Sequence, residues 1–321
     1  MGNVPPVDWG LVTRVGSRLA PEGPSLPQAD MEALVAELRQ AAARADRIVA
    51  ETTWLNAPPA ADPYVVDRPT WIRWNAELAG SLFAPHVSEP SRAGRVAGAA
   101  GAVQIGTVLS WVGQRVLGQF DPFAETPRLL LVAPNIAEIG QRLGVDPQAF
   151  RLWVCVHEVT HRYQFAHAPW LEGWLRQLLA EVMRAEPESP KAWLRNRRQG
   201  SLVETALGPG GRTALADITA MMSLLEGHAD FIMDRTGQIP GIDQIRARFQ
   251  SRREARGLDA VLRSLTGLDV KHAQYRDGAE FCRQVTERVG LTGLNRAFES
   301  PDLLPTRAEI HDPATWVART S

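Results

Sequence analysis

His157-Glu158-Val159-Thr160-His161 is the segment of this chain with the clearest chemistry. On a helix, residues four apart share a face about one turn from each other. Two imidazoles placed that way can hold one zinc ion. Glu158, one step round the helix, is near enough to work on a water at that ion. The pattern predicts metal-assisted hydrolysis, with His157 and His161 as metal ligands and Glu158 as general base. The competing reading is a buried His/Glu hydrogen-bond network with no metal.

The sequence around the motif predicts the element that carries it. Asp146-Pro147 is a helix start, with Asp as N-cap and Pro at the first helical position. Phe150, Val154, His157 and His161 then fall on one stripe. Leu152, Val156, Val159 and Tyr163 make other faces apolar, so the helix is expected to be buried on most sides. Polar groups in such a helix need partners, and a metal is one.

Catalytic zinc usually takes three protein ligands and a water. A second predicted buried helix, from Ala216 onward, carries Glu226, His228 and Asp230. Glu226 and Asp230 share a face. Glu226 can bind the metal while Asp230 accepts the second N–H of a ligand histidine and fixes its tautomer. His167, His228 and Asp230 stay open as alternative ligands. His167 stands where metzincins place a third histidine, but those proteins need Gly at the position of Gln164 for a sharp turn. On a continued helix His167 points away from the other two. His228 reads either as a hydrogen-bonded core histidine or as a transition-state donor.

The Glu226-x-x-Ala229-Asp230 arrangement resembles the second motif of the gluzincin metallopeptidases. The resemblance implies Glu226 as zinc ligand and Asp230 as the brace of His157. The departure is the long separation between His161 and Glu226, which an insertion must fill. More broadly, the chain is similar to an actinobacterial-type family of zincin-like metallopeptidases, members of which are labelled hydrolases, zinc-dependent metalloproteases or proteins associated with deazaflavin-coenzyme biosynthesis. The resemblance rests on Asp67–Glu77, Leu109–Asp121, Leu129–Asn135, the motif helix through Trp170, and Leu224–Asp230. It covers most of the chain and implies a mainly α, zincin-like helical core with at most a small β-sheet, and Zn2+ as cofactor. The coenzyme label is an association that no residue here supports.

A zinc peptidase usually adds a second donor for the oxyanion. The choices are Tyr275, Arg276, His272 and His228, with Tyr275 the first among them. The expected reaction is peptide-bond cleavage. A small amide or ester substrate, and a non-catalytic zinc scaffold, are the alternatives; an intact Glu158 argues against the scaffold.

Composition narrows the partners. Lys+Arg 35 against Asp+Glu 36 leaves a net charge of −1, so no bulk attraction to nucleic acid or anionic membrane is expected. Cys155 and Cys282 are the only cysteines, which gives no disulfide framework and suits a reducing cytoplasm. The first residues lack a basic stretch followed by an apolar run, so no signal peptide is expected. Val96 to Gln114 carries no charge but is rich in Gly and Ala. Gly94, Gly98, Gly101 and Gly106 suggest tight packing in a soluble core rather than membrane insertion.

The domain reading is an N-terminal arm over 1–27 and one catalytic domain over 28–321, with a helical lobe 28–145 and a metal-bearing lobe 146–321. Helices are expected over Gln28–Thr53, Pro69–Phe83, a Gly-rich stretch to about Phe120, Asn135–Leu143, Leu171–Ala185, 242–265 and 275–289. Asn56–Asp67 reads as a Pro-rich loop. Arg128–Ala133 is the best strand, and by analogy with zincins an edge strand could pair with substrate backbone. Glu186–Arg212 reads as a solvated linker or a mobile rim.

Overall fold

The structure is a computed structural model that describes residues 7–83, 92–185, 207–255 and 271–321. Among these residues are twelve α-helices and one three-stranded sheet. The protein is therefore mainly α with a small sheet. The packing divides the chain into two units, one with described residues 7–46 and 59–159, the other with 47–58 and 160 onward.

In the first unit, α1 (Trp9–Leu19) is capped by Asp8, whose carboxylate accepts the Leu11 N–H at 2.8 Å. This helix lies in the stretch read as an arm. It crosses α4 (Arg92–Gly113) so closely that a Cβ on Gly106 would sit 2.8 Å from the Val12 carbonyl oxygen. Gly101, on the same helix, has nothing within 4 Å, so the expectation that all the glycines serve packing holds for Gly106 and not for Gly101. Val96–Gly113 is long and apolar enough to cross a membrane by length and composition; 28% of that window is buried, and Val96 and Val103 are exposed.

The sheet order is β1 (Tyr64–Val66), β3 (Arg128–Val132), β2 (Gly118–Asp121). β1 runs parallel to β3, with Val65 opposite Leu131, and β2 runs antiparallel, with Gly118 opposite Leu131. Three expectations change here. The Gly-rich helix stops at Gly113 rather than near Phe120, and the chain that follows is β2. The Pro-rich loop contains β1. The apolar run of β3 is the central strand, paired on both sides, which is why it is nearly all buried and why it has no free edge for a substrate.

A buried arginine ties these pieces together. Arg68, at the start of α3 (Arg68–Phe83), is 3% exposed. Its Nε donates to Asn135 Oδ1 at 2.7 Å, its Nη1 to the Pro21 and Glu22 carbonyls, and it pairs with Glu138. Asn135 and Glu138 belong to α5 (Ala133–Leu143), and Asn135 Nδ2 donates in turn to the Gly113 and Val116 carbonyls. A charge this deep is tolerable because all three of its nitrogens find acceptors.

The second unit is helical. α7 (Trp170–Arg184) and α10 (Lys271–Asn295) both pack on α8 (Pro209–Arg235), and α9 (Ile242–Ala255) follows α8. α8 and α10 meet through two glycines. A Cβ on Gly227 would lie 2.2 Å from the Gly278 carbonyl carbon, and one on Gly278 would lie 2.1 Å from the Ser223 oxygen. The C-terminal helices α11 (Arg307–His311) and α12 (Pro313–Thr320) close over this pair. Trp316 is fully buried edge-to-face on Phe281, and Arg319 grips both carboxylate oxygens of Glu309.

Candidate metal centre

The motif helix α6 spans Pro147–His167. Its start follows from Asp146, whose carboxylate accepts the Ala149 N–H at 2.6 Å. It is anchored on α2 (Gln28–Thr53) by an Arg151–Glu37 ion pair and by the Cys155 thiol directed at the Leu38 carbonyl. Phe150, Leu152, Val154, Val156 and Val159 are all buried, as the apolar stripes predict. His157 and His161 are left half-buried, and Glu158 is 9% exposed.

The facing carboxylate comes from α8. The donor atoms of His157, His161 and Glu226 all lie within 4.8 Å of one another. His161 Nε2 and Glu226 Oε1 are 3.8 Å apart. Two donors about 2.1 Å from one tetrahedral ion stand about 3.4 Å apart, so this pair needs only a small closure to share a zinc. The donor chemistry, two imidazole nitrogens and a carboxylate oxygen, fits zinc. Cys155 adds no soft ligand: burial, and then the Glu158 carboxylate, push its pKa well up, so it stays a thiol.

Glu158 rests against the sheet. A Cβ on Gly118 of β2 would lie 2.6 Å from Glu158 Cγ and 3.0 Å from Oε1, so the strand must carry glycine there for the acid to keep its place. His161 is held from behind by Gln164: Nδ1 and the amide Oε1 are 2.9 Å apart. The Gln164 amide nitrogen also reaches the Leu225 carbonyl at 2.9 Å and His228 Nδ1 at 3.0 Å.

The remaining sequence candidates fall as follows. α6 continues unbroken through Gln164, so the turn a metzincin-type third histidine needs is not made; His167 ends the helix with Nδ1 accepting the Asn56 N–H at 3.0 Å. His228 is fully buried, edge-to-face on Phe298 with ring centroids 5.2 Å apart. Burial, with the His161 ring nearby, lowers its pKa to about 3, so the ring is neutral. Asp230 is half-buried on α8, one turn after Glu226, and its backbone carbonyl accepts from Arg246. The side chains of His272, Tyr275 and Arg276 lie outside the described residues, as does 186–206 of the expected linker.

Sequence reasoning passed over three residues of this site. Gln164 enters the sequence reading only as a poor turn former, although an amide one turn beyond a candidate ligand histidine can brace it. Gly118 and Gly227 carry no chemistry of their own; their importance is in what they let approach.

A helix bearing two imidazoles and an acid, faced by a carboxylate from a second helix, is the donor arrangement of a zinc metallohydrolase. The comparisons agree. The chain belongs to the zincin-like metallopeptidase family, whose model matches residues 7–317. Among solved structures it is similar to a presumed hydrolase with a novel fold from Chloroflexus aurantiacus, at 30% identity and a TM-score of 0.75, covering 98% of each chain. No curated protein matches it.

Proposed function

We propose that this protein is a zinc peptidase, with His157, His161 and Glu226 as the metal ligands and Glu158 as the general base. The observation that carries the reading is the convergence of those three donors beside a nearly buried acid on the motif helix. The donor set fits zinc, which when bound supplies Lewis acidity and makes water a nucleophile near neutral pH.

The chain's own groups do the rest. His161 offers Nε2 to the site because its Nδ1 is engaged by Gln164. Asp230 is assigned to brace His157, the role its spacing from Glu226 implies. Glu158, held against Gly118, takes a proton from the attacking water and returns it to the leaving amine. Near-total burial shields that carboxylate from bulk solvent.

The test is turnover of a broad peptide library by zinc-loaded protein. Wild type is expected to cleave peptides, and Glu158→Gln to keep its zinc while losing about 10²–10⁴ in kcat. Zinc bound at one equivalent with no hydrolysis by wild type overturns the peptidase assignment.

A further inference from the structure

We infer that Gln164 is a positioning residue of this centre: it holds His161 in the tautomer whose Nε2 lone pair faces the metal, and it takes its own orientation from the backbone carbonyl of Leu225. This inference rests on the metal-site reading above.

A side-chain amide can be turned either way, and its neighbours decide which. Three groups surround the buried Gln164 amide: His161 Nδ1, the Leu225 carbonyl oxygen and His228 Nδ1. The Leu225 oxygen only accepts, so the amide NH2 must face it. The turned-over amide would set two carbonyl oxygens against each other at 2.9 Å inside the buried core, too close for any molecule to stand between them. With the NH2 group fixed there, its second hydrogen points to His228 Nδ1, which therefore accepts. The remaining amide oxygen meets His161 Nδ1 at 2.9 Å, and that nitrogen must carry the proton. His161 Nε2 is then unprotonated, on the side where Glu226 Oε1 stands 3.8 Å away.

Each link is fixed by the one before it. Leu225 immediately precedes Glu226, so the carbonyl that sets the amide belongs to the turn of α8 that carries the carboxylate. One amide thus ties the second histidine of the motif to the helix of the third ligand. His228 fills the third place by accepting that second hydrogen, packed on Phe298. This gives His228 a part different from that of a transition-state donor: it supports the amide from behind.

Two measurements test the inference on the full-length protein. The first needs no variant: two-dimensional NMR of 15N-histidine-labelled, metal-free wild type, with His161 assigned from the loss of its peaks in His161→Asn. The expected result is Nδ1–H with an unprotonated Nε2; an Nε2–H tautomer overturns the inference, whether or not the protein turns out to be a peptidase. The second is zinc affinity by chelator competition for Gln164→Met, which keeps the volume and removes the acceptor, with Gln164→Glu restoring an acceptor for Nδ1–H. Loss of a hydrogen-bond partner to a metal ligand weakens binding by about 10–100-fold. The expected result is a loss of that size in Gln164→Met, partly recovered in Gln164→Glu. Zinc affinity within threefold of wild type in Gln164→Met, with only a lowered melting temperature of the metal-free protein, makes Gln164 a packing residue and overturns the inference.

Discussion

Gly118 and Glu158 share a space that admits no further carbon. A methyl group at Gly118 would meet Glu158 Cγ at 2.6 Å, and the acid side chain is the part able to move. Gly118→Ala is therefore expected to displace the proposed base without touching a proposed metal ligand. Displacements on this scale cost about tenfold to 100-fold in rate. Steady-state peptide hydrolysis should fall by that much while zinc affinity from chelator competition stays within threefold; a parallel loss of zinc would place Gly118 in the metal site instead. Residues of this kind mark the limit of what the sequence shows. His157, Glu158, His161 and Glu226 are legible because their types and helical spacing announce chemistry. Gly118 lies far from them in sequence, and its role exists only once β2 passes under the motif helix.

Among the elements, α6 was the most legible, because cap, proline and apolar stripes all agree on it. α2 was equally clear, and the observed Gln28–Thr53 has the expected bounds. The short strands were not. β1 and β2 have three and four residues, and neither has the alternating pattern by which a strand is recognised. They form because β3 offers each a neighbour. α8 poses a different question: what holds Glu226 at its distance from His161. Part of the answer is the glycine contact with α10, where a Cβ on Gly227 would lie 2.2 Å from backbone. Backbone cannot step aside as a side chain can. Gly227→Ala is expected to destabilise the protein by about 1–3 kcal/mol in urea denaturation. Because it adjoins Glu226, it should also weaken zinc binding by more than Gly118→Ala does. Unchanged zinc affinity in a destabilised Gly227→Ala protein would show that α8 keeps its carboxylate in place without this contact.

For the whole molecule, the proposed metal and the C-terminal clasp are expected to stabilise the fold independently. A ligand held by the folded state alone adds about 2.7 kcal/mol at 100 times its Kd. Zinc addition should raise the melting temperature of wild type and leave that of His157→Ala and Glu226→Ala unmoved. The C-terminal clasp responds instead to pH. Burial alone would raise the pKa of Glu309, but hydrogen bonds from Arg319 and Thr306 outweigh it and hold the carboxyl below its usual range. A depressed folded pKa gives stability that is complete above the unfolded value of 4.5 and is lost as pH falls through the folded one. Glu309→Gln should cost about 1–3 kcal/mol at neutral pH, and the gap to wild type should narrow in acid below pH about 4. A gap independent of pH would mean that packing around Trp316, rather than the ion pair, is what the substitution disturbs. The Arg319–Glu309 clasp was not legible in the sequence, since nothing in the spacing of those two residues marks them as partners.

Zinc K-edge X-ray absorption of the zinc-loaded protein reads the proposed donor set directly. Two imidazole nitrogens and low-atomic-number oxygen are expected at about 2.0–2.2 Å, with no sulfur shell. A shell at about 2.3 Å from thiolate, or a single imidazole, would contradict it.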